Sequence, residues 1–152
     1  SDSSLVSRKI AATRLALCAA PQYLEHRGNP QHPSELAGHD ILGYSLLATG
    51  DQWHFDGPHG PVSVKVRPRM WSNNGDSCIA ASVQGAGIQL QPTFLIAEEL
   101  RRGKLVEILP QFQAVTLGIY AVYPTRKFVL PKVRALVEFL DARLREAPWA
   151  YL

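Results

Sequence analysis

Asn73-Asn74-Gly75-Asp76-Ser77-Cys78-Ile79-Ala80-Ala81-Ser82-Val83-Gln84-Gly85-Ala86-Gly87-Ile88-Gln89-Leu90-Gln91-Pro92 reads as a helix, a glycine-marked stop and a strand. Asn74 is placed to cap the helix, and Asp76 lies in the first turn, where a carboxylate favours the helix dipole. Ile79, Ala80 and Val83 share one helical face. Gly85 predicts a left-handed C-cap, and Gly87 a tight entry into a strand at 88–91 that Pro92 closes. A helix feeding directly into a short strand is the repeating unit of an α/β sheet.

The same alternation extends in both directions. Towards the N-terminus, residues 5–10 are mixed, whereas Arg14-Leu15-Ala16-Leu17-Cys18-Ala19-Ala20 is an apolar run predicting a buried strand. Pro21 opens a short helix through Leu24, and residues 33–38 give one more helical turn, stopped by Gly38. Residues 40–45 predict a strand. Residues 52–55 and 62–66 are the arms of a hairpin around Asp56-Gly57-Pro58-His59-Gly60, and 69–72 begin a further strand. Towards the C-terminus, 94–102 predict a helix ending on Arg101, Arg102 and Gly103. Residues 105–109 predict a short strand. Leu117–Tyr123 is almost wholly apolar and predicts a strand buried on both faces. Pro131 opens a last helix with an apolar stripe of Val133, Leu136, Val137, Leu140 and Leu144. Lys132, Arg134, Glu138, Asp141 and Arg143 are expected to face water.

Composition narrows the function. The chain has 152 residues, 46% hydrophobic and 19% charged, which suits one domain with a real core. The net charge of +3 is scattered rather than concentrated on one helix, as a chain touching DNA itself would require. No stretch approaches a membrane span, and Ser1–Ser4 lack the order of a secretory signal. Cys18 and Cys78 have no Cys-x-x-Cys spacing and read as small buried residues of a reducing cytosol; a redox pair is the alternative. The five histidines show no i, i+4 zinc spacing. Gly75-Asp76-Ser77 superficially matches a serine-esterase motif, but no histidine follows His59 to activate the serine. The sequence therefore points to no catalytic residue, metal site or cofactor.

Several motifs share an order. These are Ala19-Ala20-Pro21-Gln22-Tyr23-Leu24, His32-Pro33-Ser34-Glu35-Leu36-Ala37-Gly38-His39, the Asn73–Ile88 block, Gly103-Lys104-Leu105-Val106, Tyr120-Ala121-Val122-Tyr123-Pro124 and Pro131-Lys132-Val133-Arg134. Together, from Arg14 to Leu144, they resemble the regulatory domain of LysR-type transcription regulators. The resemblance implies an α/β fold of the periplasmic-binding-protein-like (type 2) kind, with two lobes joined by two crossing strands. Residues 14–123 would form the second lobe with its crossing strands at 14–20 and 117–123. Residues 1–13, and 124–152 with the C-terminal helix, would be remnants of the first. It further implies a cytoplasmic, effector-binding and oligomerising domain. DNA would be reached only through a winged helix-turn-helix lying outside this sequence. The C-terminal helix is expected to pack on another subunit or swap into it, because the sheet it should cover is incomplete. A fragment of a periplasmic solute-binding protein, or a serine hydrolase, are the rival readings.

In an open α/β lobe, ligands bind beyond the carboxyl ends of the strands. That places Tyr44, Ser45, Asn73, Asn74, Gly75, Asp76 and Gln91 near a cleft. The free N–H groups at the start of the 75–84 helix suit a carboxylate, with Asn73 and Asn74 as side-chain donors. The alternatives are that Asn74 only caps the helix, Asn73 only ends a strand, and Asp76 only complements the dipole.

Overall fold

Leu15, Leu17 and Ala19 face one side of a sheet and Ala16, Cys18 and Ala20 the other, all of them buried, because side chains alternate along a strand. All but Ala20, the residue just after it, belong to β1 (Leu5–Ala19), which starts before the apolar run. The computed structural model describes residues 5–124 and 130–147. These form two compact units, one of residues 14–115 and the other of the residues up to 13 together with those from 116 onward.

In the 14–115 unit the strands run in the order β5 (Pro68–Ser72), β2 (Ile41–Tyr44), β6 (Ile88–Pro92), β1, β7 (Val106–Glu107). β2 is parallel to both β5 and β6, whereas β1 is antiparallel to β6 and β7. One face is covered by α1 (Pro21–Arg27), a 3-10 helix (Pro33–Gly38) and the hairpin of β3 (Gln52–Gly57) and β4 (Gly60–Lys65). Trp53, Phe55, Val64 and Val66 join Tyr23 and Leu36 there against Leu15, Leu17, Ile41, Ile88 and Leu90. The other face carries α2 (Gly75–Val83) and α3 (Thr93–Arg101), whose Ile79 and Ile96 pack on Ala16, Cys18, Ala20 and Leu105.

The glycine-marked joint between α2 and β6 folds as its sequence dictates. Gly85 has φ 79°, the left-handed cap. A Cβ on Gly87 would lie 2.3 Å from the Asp40 carbonyl oxygen, so only glycine admits this approach of the chain to the start of β2. α2 differs from expectation at Ala80, which is exposed; Cys78, Ile79 and Ser82 are the buried positions. The strand expected at 105–109 shrinks to two residues, since Leu105, Ile108 and Leu109 are buried as separate core contacts.

In the other unit, β8 (Thr116–Pro124) pairs with β1. It is not buried on both faces as its composition predicts. Leu117, Tyr120 and Val122 are exposed, and Ile119, Ala121 and Tyr123 half-buried. An apolar run states a need for cover but does not supply it. In α4 (Pro131–Arg145) only Val137 of the expected stripe is buried, while Leu136 is 57% exposed and Phe139 58%. Asp141, expected to face water, is buried, because Arg8 Nη2 at 2.9 Å and Arg145 Nε at 2.9 Å hold its carboxylate. Arg145, then Arg8, keep that carboxyl below its usual pKa.

Candidate functional site

The parallel strands β2, β5 and β6 all end at one edge of the 14–115 unit, and the residues that follow them gather there. Ser45 N–H donates to Ser72 O at 2.9 Å, tying the end of β2 to the end of β5. The turn into α2 is then fixed by short polar contacts. Asn74 N–H donates to Ser72 Oγ at 3.1 Å, and Ser72 Oγ–H donates to Asn74 O at 3.2 Å. Asn74 Oδ1 accepts from Ser77 N–H at 3.0 Å, the N-cap bond. The Asn74 side chain is thus committed to capping. Ser72, which sequence reasoning passed over, is the residue that shapes this turn; its position two before an Asn cap is the signal that was there to be read.

The cap leaves the N–H groups of Gly75 and Asp76 without an intrahelical acceptor, as at the start of any α-helix. Against this first turn stands Gln91, the penultimate residue of β6. A Cβ on Gly75 would lie 2.9 Å from Leu95 Cδ1 and 3.5 Å from Gln91 Oε1, so the close packing that glycine eases here is against Leu95, with the Gln91 amide beside the helix start. Gln91 is 0% exposed, and neither its Oε1 nor its Nε2 has a hydrogen-bond partner among the described residues. An unsatisfied buried amide costs about 1–3 kcal/mol, and the Gln89 amide has no partner among the described residues either. Asn73 and Asp76 are exposed, Ser45 is exposed, and Tyr44 is half-buried. The structure therefore brings Tyr44, Ser45, Asn73, Asn74, Gly75, Asp76 and Gln91 to one edge of one unit.

Gln89 lies one pleat further along the same face, opposite Cys18 in the β1–β6 register. Burial pushes the Cys18 thiol up to about 12, with the neighbouring Gln89 amide acting the other way. Cys78 is also raised by burial, and its Sγ–H donates to Gly43 O at 3.7 Å. Both cysteines are free and buried. On the far side of β1, Arg14 forms a bidentate pair with Glu107 at 2.7 and 2.8 Å, and that contact raises the guanidinium pKa further. Among the described residues the Ser77 Oγ has only the cap oxygen within reach, lying 3.5 Å from Asn74 Oδ1. Among the described residues no group of His, Cys, Asp and Glu is arranged to hold a metal ion, and no helix is long and apolar enough to cross a membrane.

The chain matches the LysR substrate binding domain over residues 1–145. It is 32% identical over 148 residues to the HTH-type transcriptional regulator PtxR of Pseudomonas aeruginosa, covering 97% of this chain and 47% of that protein. It is 34% identical over 142 residues to the HTH-type transcriptional activator AaeR of Escherichia coli, covering 91% and 45%. The fold is similar to the regulatory domain of CrgA from Neisseria meningitidis, with a TM-score of 0.82 at 30% identity over 94% of this chain and 71% of that one. Full-length AphB of Vibrio cholerae gives a TM-score of 0.81 at 31% identity, over 94% and 49%. The chain spans about half the length of the curated relatives it matches. Its architecture is the periplasmic-binding-protein-like type 2 α/β fold of these regulatory domains. The chain belongs to the family of LysR-type regulators, within their substrate-binding domain.

Proposed function

We propose that this chain is the greater part of the effector-binding and oligomerisation domain of a cytoplasmic LysR-type transcription regulator. It performs no catalysis, needs no cofactor, and reaches DNA only through a winged helix-turn-helix elsewhere in the parent protein. Residues 14–123 are the second lobe with its crossing strands, and 1–13 with 124–152 belong to the first. The observation that carries this reading is the buried, unpartnered Gln91 amide set against the free N–H groups of Gly75 and Asp76. Oriented N–H groups at a helix start attract an anion, and the amide adds a directional donor or acceptor.

The effector is then a small molecule bearing a carboxylate. The α2 N–H groups take the carboxylate, Gln91 reads a second polar atom, and Asn73, Tyr44 and Ser45 contact the rest. Asn74 holds the turn, and Asp76 complements the dipole. A thermal-shift screen of small aliphatic and aromatic acids on the parent regulator tests this, because a ligand stabilises by mass action. Acids should raise the melting temperature of the parent protein and not of Gln91→Leu. An identical response from both would sink the assignment.

Exposed Leu117, Tyr120, Val122, Leu136 and Phe139 favour association of copies of this chain through β8 and α4, by packing or by swapping α4. Light scattering should find a dimer or larger, and a monomer at micromolar concentration would overturn it.

A further inference from the structure

We propose that the 14–115 unit holds a second small-molecule site, at the opposite edge of its sheet, which takes a carboxylate carrying an apolar body. Asp40 immediately precedes β2, Arg69 lies at the start of β5, and Arg27 ends α1. These are the amino-terminal ends of the parallel strands, whereas Tyr44, Ser72 and Gln91 stand at their carboxyl ends. The two sites are therefore independent, and this one does not rest on the function proposed above.

Two cations from different elements meet over one anion. Arg69 Nη1 lies 2.9 Å from Asp40 Oδ1, and Arg27 Nε lies 3.5 Å from Asp40 Oδ2. Two guanidinium groups against one carboxylate leave one net positive charge. Each guanidinium has five N–H donors. Arg27 spends one more on Gly38 O at 3.4 Å, and Arg69 has Asp40 as its one partner among the described residues. Most of the donors remain open to a ligand, and guanidinium forks match the geometry of a carboxylate.

The cations border a cavity of about 650 Å³, within the range of small-molecule sites. Its lining includes Tyr23, Leu42 and Met70, so the floor is apolar while one wall is cationic. That combination selects an amphipathic anion over inorganic phosphate or a neutral apolar compound.

The frame is pre-set. Asp40 N–H donates to Tyr23 Oη at 2.9 Å, and Asp40 O accepts from Ile88 N–H at 2.8 Å. Gly87 allows that close approach to the Asp40 backbone, and Gly85 takes the left-handed φ of 79° beside the Gln22 side chain of α1. The Gly85-Ala86-Gly87 segment thus ends a helix and also closes one wall of the cavity. A carboxylate between two forks already aimed by Asp40 binds with little reorganisation.

The test is an NMR titration of the 152-residue chain with benzoate, benzyl alcohol and acetate. Benzoate should give saturable shifts at Leu42, Met70 and the Arg27 and Arg69 Nε–H groups. Benzyl alcohol, lacking the charge, and acetate, lacking the body, should bind about tenfold more weakly, as should benzoate to Arg69→Gln. Arg27 and Arg69 are largely exposed, so Arg27→Gln/Arg69→Gln should fold normally and lose the benzoate response. An undiminished response in that double variant would overturn the proposal, as would equal affinity for benzyl alcohol. Benzoate shifts confined to Gly75, Asp76 and Gln91 would also overturn it while supporting the other site.

Discussion

The two faces of the central sheet are built on different terms. The hairpin face is filled by Trp53, Phe55, Tyr23, Leu36 and the aliphatic residues of β1, β2 and β6, and its Tyr23 Oη is bonded. The helix face, under α2 and α3, is made of smaller residues and contains Cys18, Cys78, Ser82, Gln89, Gln91 and Thr93, all buried. The first face is optimised for packing. The second gives up some apolar packing to hold polar side chains, Gln91 among them near the start of α2. The large apolar side chains and the buried polar ones thus lie on opposite faces of the same sheet.

The comparison breaks most visibly if a large residue is removed from the first face. Phe55→Ala should cost about 3–5 kcal/mol, a large share of the stability of a small domain, read as a lower urea midpoint. A loss under about 1 kcal/mol would mean that the hairpin is not part of the cooperative core. On the second face the sign reverses. Gln91→Leu replaces an unsatisfied amide by an apolar group of similar size, so the free chain should gain about 1–2 kcal/mol. The same change should abolish its response to effector acids. A destabilised Gln91→Leu would show that the amide is satisfied in solution.

The cysteines sharpen the contrast without changing stability. With its pKa pushed to about 12, Cys18 is a thiol at neutral pH, and the thiolate is the reactive form. Cys78 is buried and shifted in the same direction. Neither should react with a thiol reagent in the native chain, and both should react on unfolding. Rapid native labelling of either, followed by mass spectrometry, would revive the redox-pair reading.

What could be read in advance follows from how local each cause is. Asn74 as cap, Gly85 as left-handed stop and the helix-to-strand joint depend on neighbours within a few residues, and they stand as expected. So do the positions of Tyr44, Asn73 and Gln91 at one edge, because parallel strands share their direction. The extension of β1 through Ser7-Arg8-Lys9 had no local signal; pairing with β8, over a hundred residues away, makes it a strand. The burial of Asp141 depends on Arg8, 133 residues distant. Arg69 and Asp40 are 29 residues apart in separate predicted elements, so their cavity was invisible to spacing. The apolar composition of β8 gave a tendency to be covered and no information on what covers it.

The smallest expected effect concerns the rim of the first face. Tyr23 Oη accepts from Asp40 N–H and shares a hydrogen bond with His39 Nδ1 at 3.0 Å, which joins two motif positions 16 residues apart. A neutral imidazole suits this half-buried position. Burial, and then the charge of Arg27, lower the His39 pKa below its ordinary 6.5, with Glu35 and Asp40 opposing. The folded chain therefore binds fewer protons than the unfolded chain as pH drops below that value. The contribution of His39 is complete above about pH 6.5, declines as pH falls towards the folded pKa, and is constant below it. Urea midpoints measured from pH 7.5 to 5.5 should fall for the parent chain. His39→Asn keeps an acceptor near Nδ1 and cannot titrate, so its slope should be shallower over that interval. Equal slopes would assign the acid sensitivity to other groups and leave the Tyr23–His39 contact a packing feature only.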